Sequence, residues 1–413
     1  MVGRAIGNGA LLGVELAALR KHTVIFAGSG SGKTVLIRRL VEECALRGVS
    51  AIVLDPNNDL ARLGERWPEA PEQWVEGDER KAAAYLGGTE VVIWTPRRVG
   101  GRPLSFRPLP DFASVLDDAD EFAEAVEVAV ESIVPRVKLT AGTKRNQIGQ
   151  AVLRKAVEHF GRSGGTTLRG LVGLLGDLPD GVSQVASASR IAGELADSLT
   201  AAMDNDPLFG GGAEPVDPGV LLTPSPGKKA RVSVISLIGL PGEEQRQSFV
   251  NQLQMALFAW IKKHPAGDRP LGGLFVMDEA QTFAPATGMT ACTRSTLALA
   301  AQARKYGLGL IFATQAPKGL HNQISGNAAT QFFGLLNAPI QISAAKEMAQ
   351  AKGGSVPDIS RLIVGQFYLA LEGETFVKTR IPMCLSHHPK APLTTEEVIA
   401  RAARQSPVSQ PAT

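Results

Sequence analysis

Disulfides are the first thing this sequence rules out. Its 413 residues hold three cysteines, Cys44, Cys292 and Cys384, scattered and without a CxxC pair. So sparse and odd a set excludes a disulfide framework or a zinc site and fits reduced thiols. Long apolar runs are missing too: none approaches the ~18 residues a membrane span needs. The opening MVGRAIGNGALLGVELAALRK lacks the apolar core and small-residue cleavage site of a secretory signal. A soluble cytoplasmic protein without a membrane anchor is expected. Neither sign of charge dominates, since 43 Lys and Arg against 40 Asp and Glu leave +3. Composition therefore argues neither for nor against nucleic acid, and any basic surface must be local. There is no internal repeat and no nuclease motif. The length suits one large domain with an insertion, or two domains, with ample apolar residues for a core.

What is present is an alternation of apolar runs with helical patterns. Thr23 to Ala27 ends in a Gly/Ser-rich turn, after which Leu36, Leu40 and Cys44 share one helix face and Arg38 and Arg39 lie off it. Gly48 closes that helix. Ser50 to Leu54, Val91 to Trp94, Val232 to Leu237, Leu274 to Met277 and Gly309 to Ala313 read as further strands, with Gln331 to Leu336 and Gln366 to Glu372 as late ones. Strands that are apolar throughout and alternate with helices predict an α/β fold with a mostly parallel sheet buried on both faces. From Asp111 to Leu208 the pattern is helical, with Phe122, Val126, Ala129, Val130 and Ile133 at helical spacing. Charge there is polarised: eight acids and no base from Asp111 to Glu131, then eight bases and one acid from Arg136 to Arg169. Solvated helix faces are the plain reading. The expected layout is a core in two parts, 1–110 and 209–385, split by a helical insertion at 111–208. Gly210 to Pro218 makes a turn-rich return to the sheet. Residues 386–413 carry a capped helix from Thr394 to Arg404 and a disordered tail.

The chemistry sits at the ends of strands. Ala27-Gly28-Ser29-Gly30-Ser31-Gly32-Lys33-Thr34 fits the Walker A pattern, with Ala27 for the usual first glycine, between a strand and a helix. Gly28, Ser29, Gly30, Ser31, Gly32, Lys33, Thr34 and Val35 are the nucleotide-binding candidates. The glycines let the backbone amides turn toward phosphates, and the helix dipole adds to them. Lys33 would neutralise the β and γ oxygens, and Thr34 would ligate Mg²⁺. Leu274 to Met277 delivers Asp278 and Glu279 to a strand's C-terminal end, where ligands of open α/β sheets bind. Asp278 would hold the Mg²⁺ shell, and Glu279 would act as general base on water. Gln315 ends the next strand and can hydrogen-bond that water or the γ-phosphate. Positive charge is also needed where the γ-phosphate departs. Arg304, ending the helix before that strand, is one candidate, expected beside the sheet edge that carries Glu279 and Gln315. Arg20 and Lys21 are the others. ATP with Mg²⁺ is the expected ligand pair, and ATP hydrolysis the expected reaction.

Together the stretches HTVIFAGSGSGKT, AIVLDPNNDL, FVMDEAQTFAP and ARKYGLGLIFATQAP resemble the HerA-like branch of the HerA/FtsK ATPases. The resemblance covers most of residues 15–380. It implies a RecA-like core, a hexameric ring with ATP between subunits, and translocation on double-stranded DNA. By motif it carries over Lys33, Thr34, Asp278, Glu279 and Gln315, with Arg304 as the arginine after the Walker B helix. Arg20 or Lys21 matches, loosely, a basic residue acting on the neighbour's nucleotide. HerA-like proteins typically carry an N-terminal β-barrel that docks a nuclease, whereas some two dozen residues precede the first strand here. That departure counts against docking a nuclease and against barrel-assisted ring assembly; if DNA is cut, a separate nuclease does it, and a nuclease or effector protein is the partner considered. Channel-facing phosphate contacts are expected from Lys144, Arg145 and Lys318. Two rivals to a translocase or helicase-like motor stand beside it. One is an ATPase pumping DNA in conjugation through a membrane partner, the other a regulatory ATPase controlling an effector.

Overall fold

The computed structural model describes residues 2–105, 109–139, 142–205 and 214–405. The tail expected to be disordered and the start of the turn-rich stretch at Gly210 lie outside them. Two units are present, Met1–Arg102 with Asp217–Thr413, and Pro103–Val216.

The strands in chain order are β1 (Gly3–Ala5), β2 (Leu11–Leu12), β3 (Thr23–Phe26), β4 (Ala51–Asp55), β5 (Thr89–Trp94), β6 (Leu104–Ser105), β7 (Glu214–Pro215), β8 (Ala230–Ser236), β9 (Gly273–Met277), β10 (Leu308–Thr314), β11 (Thr330–Phe333), β12 (Gln366–Ala370) and β13 (Val377–Arg380). Eleven form one sheet in the first unit, ordered β2-β1-β13-β12-β11-β3-β10-β9-β4-β8-β5. From β11 to β5 every neighbour is parallel. Val24, Ile25, Val53, Leu54, Val234, Val276 and Phe312 in these strands have no exposed surface. Burial on both faces is why they read as unbroken apolar runs. The other edge departs from the expected parallel order: β12, β13, β1 and β2 pair antiparallel. β1 and β2, at three and two residues, are too short to show a period.

The helices are α1 (Leu16–Leu19), α2 (Lys33–Ala45), α3 (Asp78–Gly88), α4 (Ala119–Ile133), α5 (Lys144–Arg162), α6 (Leu168–Gly176), α7 (Ala188–Asn205), α8 (Pro218–Leu222), α9 (Glu243–Lys263), α10 (Thr293–Gln302), α11 (Asn322–Asn327), α12 (Pro339–Ala351) and α13 (Thr395–Gln405). Just before α13, Thr394 and Glu397 cap each other's amides reciprocally, at 2.9 and 3.3 Å. The second unit packs α4 to α7 around its own core, with Phe122, Val126, Val152, Leu171 and Leu195 at its centre. Asp118, Thr143 and Thr167 cap α4, α5 and α6. Its polarised charges lie on exposed faces and partly pair, as Glu127 does with Arg154 at 2.6 Å.

α2 is buried almost all round, including the two arginines off its apolar face. Arg38 donates to the carbonyl oxygens of Asp59, Arg62 and His387 and to Ser386 Oγ. Arg39 grips Asp78 with two hydrogen bonds, at 3.0 and 2.6 Å, and reaches Glu43 at 2.9 Å. Buried charges persist only when fully partnered. Arg39→Ala takes from the wholly buried Asp78 its guanidinium partner, leaving the Val75 amide and Lys81 at 4.0 Å, and is expected to cost about 3–5 kcal/mol. Chemical denaturation measures this, and a loss below ~1 kcal/mol would show the pair to be dispensable.

Candidate functional site

Four neighbouring parallel strands, β3, β10, β9 and β4, end at one edge of the sheet. Their C-terminal ends carry the P-loop, Gln315, Asp278 with Glu279, and Asp55 respectively. Parallel order alone thus gathers motifs that are far apart in sequence.

The P-loop leaves β3 at Ala27, whose amide donates to Thr314 O at 3.1 Å. Gly28 donates its amide to Leu335 O at 2.8 Å. That corrects its place among the phosphate-facing amides, because its N–H is engaged by the segment just past β11. Gly28 matters for closeness instead, since a Cβ there would lie 3.0 Å from Leu335 O. Gly30 and Gly32 take left-handed φ of 73° and 92°, which only glycine adopts without penalty. Ser31 turns inward, its hydroxyl donating to Gly28 O at 2.6 Å. α2 then begins at Lys33, and the amides of its first turn, Lys33, Thr34 and Val35, have no carbonyl partner within the helix. Such a terminus favours an anion.

Lys33 Nζ lies 2.7 Å from Asp278 Oδ1 and 2.6 Å from Glu279 Oε1. Burial disfavours its charge, but the two carboxylates outweigh that and raise its pKa. Glu279 also accepts from Gln281 at 2.7 Å and from Gln315 at 2.9 Å. Burial pushes the Glu279 pKa up, yet Lys33 and these amides bring it below the usual carboxylate value. Burial raises that of Asp278. Glu279 has φ 50° and ψ 44°, a strained left-handed conformation of a kind that clusters at functional sites. Lys33, Asp278, Glu279 and Gln315 are thus one connected cluster. Thr34, one residue along α2 from Lys33, is half-buried.

Two further acids reach this cluster. Asp55 ends β4, accepts from the amides of Asp59 and Leu60, and is pushed by burial to about 7, with Asp59 and Asp278 adding repulsion. Asp59 is raised by burial and by Asp278. Asp55 was readable by the rule that finds Asp278, an acid after an apolar run, but Pro56-Asn57-Asn58 make the stretch look like a plain turn, and Asp59 beyond that turn carries no such signal.

Arg304 is elsewhere, which corrects the expected juxtaposition. It lies in the 3₁₀ turn Ala303–Tyr306, before β10 begins, whereas Gln315 follows its end. Seven residues of β10 put about 20 Å between them at ~3.3 Å per residue. Exposed Arg304 lines a cavity of about 360 Å³ with Lys21 and Lys352. Lys21 pairs with Glu372. Arg20 lies so close over Gly307 that a Cβ there would be 2.8 Å from its guanidinium. None of these basic residues reaches the P-loop of its own chain. Lys318 pairs with Glu347 at 3.0 Å and Arg145 with Glu194 at 3.1 Å, both exposed. Lys144 opens α5 beside Arg145. No helix among the described residues is long and apolar enough to cross a membrane.

Comparison with known proteins agrees with this arrangement. The bacterial conjugative coupling protein TrwBdeltaN70, in complex with sulphate, is 14% identical, with 95% of this chain and 96% of that one covered at a TM-score of 0.54. TrwB with a non-hydrolysable ATP analogue aligns at 0.55 and 13% identity, with coverage of 95% and 96%. VirB4 of Thermoanaerobacter pseudethanolicus is 14% identical, with 92% and 95% covered at 0.51. At such identities these structures show the fold, that of RecA-like P-loop ATPases. No curated protein sequence matches the chain. The family model described as the central domain of helicase HerA matches residues 1–256. With the P-loop and its paired acids in place, the chain belongs to the HerA central-domain family and is an ATPase of that family.

Proposed function

We propose that this chain is an ATP-driven motor on double-stranded DNA, acting as a homo-oligomeric ring, a hexamer, with each nucleotide bound between two subunits. The supporting observation is the split of its charged groups. One sheet edge holds Lys33, Asp278, Glu279 and Gln315, and Arg304 and Lys21 line a cavity at the opposite ends of these strands. A head-to-tail ring brings unlike edges together, so the arginine of one subunit would complete the site of the next. The TrwB structures in complex with ADP and Mg²⁺ or with an ATP analogue support nucleotide as the ligand.

In this reading the amides of Lys33, Thr34 and Val35 cradle the phosphates. Lys33 moves from the two acids onto the β and γ oxygens. Thr34 and Asp278 would hold Mg²⁺, which neutralises phosphate charge when bound. Among the described residues no three His, Cys, Asp or Glu cluster as a metal cage. Magnesium at nucleotide sites is held by one or two protein oxygens, substrate phosphates and water. Glu279 takes a proton from the attacking water as the water oxygen bonds to the γ-phosphorus and the bond to the ADP oxygen breaks. Gln315 steadies the Glu279 carboxylate. As Lys33 leaves, Glu279 loses the cation that depresses its pKa and becomes a stronger base.

DNA phosphates would be met by Lys144, Arg145 and Lys318. The exposed ion pairs of Arg145 and Lys318 are weak and can be exchanged for phosphate. Duplex binding should be independent of sequence, stronger with ATP, and at least ~10-fold weaker at ~200 mM than at ~50 mM salt. Steady-state ATP turnover by the assembled oligomer, with and without duplex DNA, tests the proposal. Stimulation by DNA supports a motor. Unchanged turnover with no DNA binding at ~50 mM salt would favour an ATPase whose nucleotide state controls a partner effector.

A further inference from the structure

A cavity of about 670 Å³ opens beside the P-loop, bounded by Gly32 and Val35 on one side and Ile363, Val364 and Arg380 on another. Its size is that of small-molecule sites. Two observations distinguish it. Ile363 and Val364 are 56% and 65% exposed, although they are adjacent, branched and apolar. They are also fixed in place: the Gly365 amide donates to Ser31 O at 2.9 Å, and Arg380 donates to Val364 O at 3.1 Å. An apolar pair anchored facing water gains free energy when an apolar surface covers it, and such exposed pairs mark ligand-binding grooves. The second observation is its place. Gly32 and Val35 bracket Lys33 and Thr34, and a Cβ on Gly32 would lie 3.1 Å from Gly365 N. Whatever leaves the phosphate cradle on this side meets Ile363 and Val364 next.

We propose that this cavity takes the base of the bound nucleotide, a purine covered by Ile363 and Val364, and holds it by its face without reading its edge. This rests on the nucleotide assignment made above. The polar side chains at the rim, Arg4, Glu72, Gln73 and Arg380, are all exposed, so among the described residues no buried side-chain donor or acceptor there distinguishes adenine from guanine. Apolar contact discriminates weakly, whereas a site built to hydrogen-bond an edge rejects the wrong one by ~10⁴–10⁵. ATP and GTP are therefore accepted within ~10-fold of each other. A pyrimidine covers less of the apolar wall and binds more weakly.

The test is calorimetric titration of the oligomer with the magnesium complexes of ATP, GTP, CTP and inorganic tripolyphosphate. Wild type is compared with Ile363→Ser/Val364→Ser and with Lys33→Ala. The double variant changes two exposed side chains and none of the loop's backbone hydrogen bonds. It is expected to bind ATP and GTP ~10-fold more weakly and tripolyphosphate as wild type does. Three results would overturn the base assignment: unchanged ATP affinity in the double variant, loss of its tripolyphosphate binding, or wild type binding ATP no better than tripolyphosphate. Rejection of GTP by more than ~10³-fold would overturn the face-only recognition. Undiminished ATP binding by Lys33→Ala would instead overturn the P-loop reading on which the proposal stands.

Discussion

Glu279→Gln is expected to bind ATP with near-wild-type affinity and to hydrolyse it ~10²–10⁴-fold more slowly. Glutamine keeps the shape of the side chain, and the amides of Lys33, Thr34 and Val35 at the start of α2 are untouched, so the proposed phosphate cradle survives. What is lost is the carboxylate that accepts the proton from water. The backbone there sits at φ 50°, and that strain is expected to persist in the variant because the same turn still holds it. Single-turnover hydrolysis separates the chemical step from binding and release. A rate within a few-fold of wild type would mean that Glu279 is not the base, and would turn attention to Asp55, which burial holds at about 7 and thus able to carry a proton.

Arg304→Ala is expected to assemble and bind ATP, yet to lose nearly all turnover. Arginines that stabilise the departing phosphoryl charge are worth ~10³–10⁵ in rate. The residue is exposed and outside the apolar core, so the fold should tolerate its truncation. Its position a strand's length from Gln315 means that such an effect could not arise within one subunit. Normal turnover by Arg304→Ala would remove it from the chemistry and leave Arg20 and Lys21 as candidates. Of these, Lys21 is the better placed, lining the same cavity as Arg304, whereas Arg20 packs over Gly307.

The cluster of Lys33, Asp278, Glu279 and Gln315 was legible in the sequence because the P-loop, the paired acids and Gln315 each follow an apolar run. Asp278, Glu279 and Gln315 follow strands whose parallel order could be inferred, and order alone carries them to one edge. Asp55 obeys the same rule but is followed by Pro-Asn-Asn, and turn chemistry masked it. Arg304 misled for the converse reason. It is close in sequence to β10, but to its start, and in a parallel sheet the two ends of a strand face opposite ways. The buried arginines of α2 were beyond reach of periodicity. Their partners at Met383, Ser386 and His387 return from the far end of the chain, and no local pattern announces that. The antiparallel edge of β12, β13, β1 and β2 was equally hidden, because its outer strands are too short to carry a period.

The claim that matters most is that the catalytic site is shared between subunits. Mixing Arg304→Ala with Lys33→Ala tests it most directly, each variant being inactive alone. On random assembly about one interface in four joins an intact P-loop to an intact Arg304. ATP turnover should therefore reappear in the mixture in proportion to those interfaces. Turnover in mixed oligomers no higher than in either variant alone would contradict a shared site.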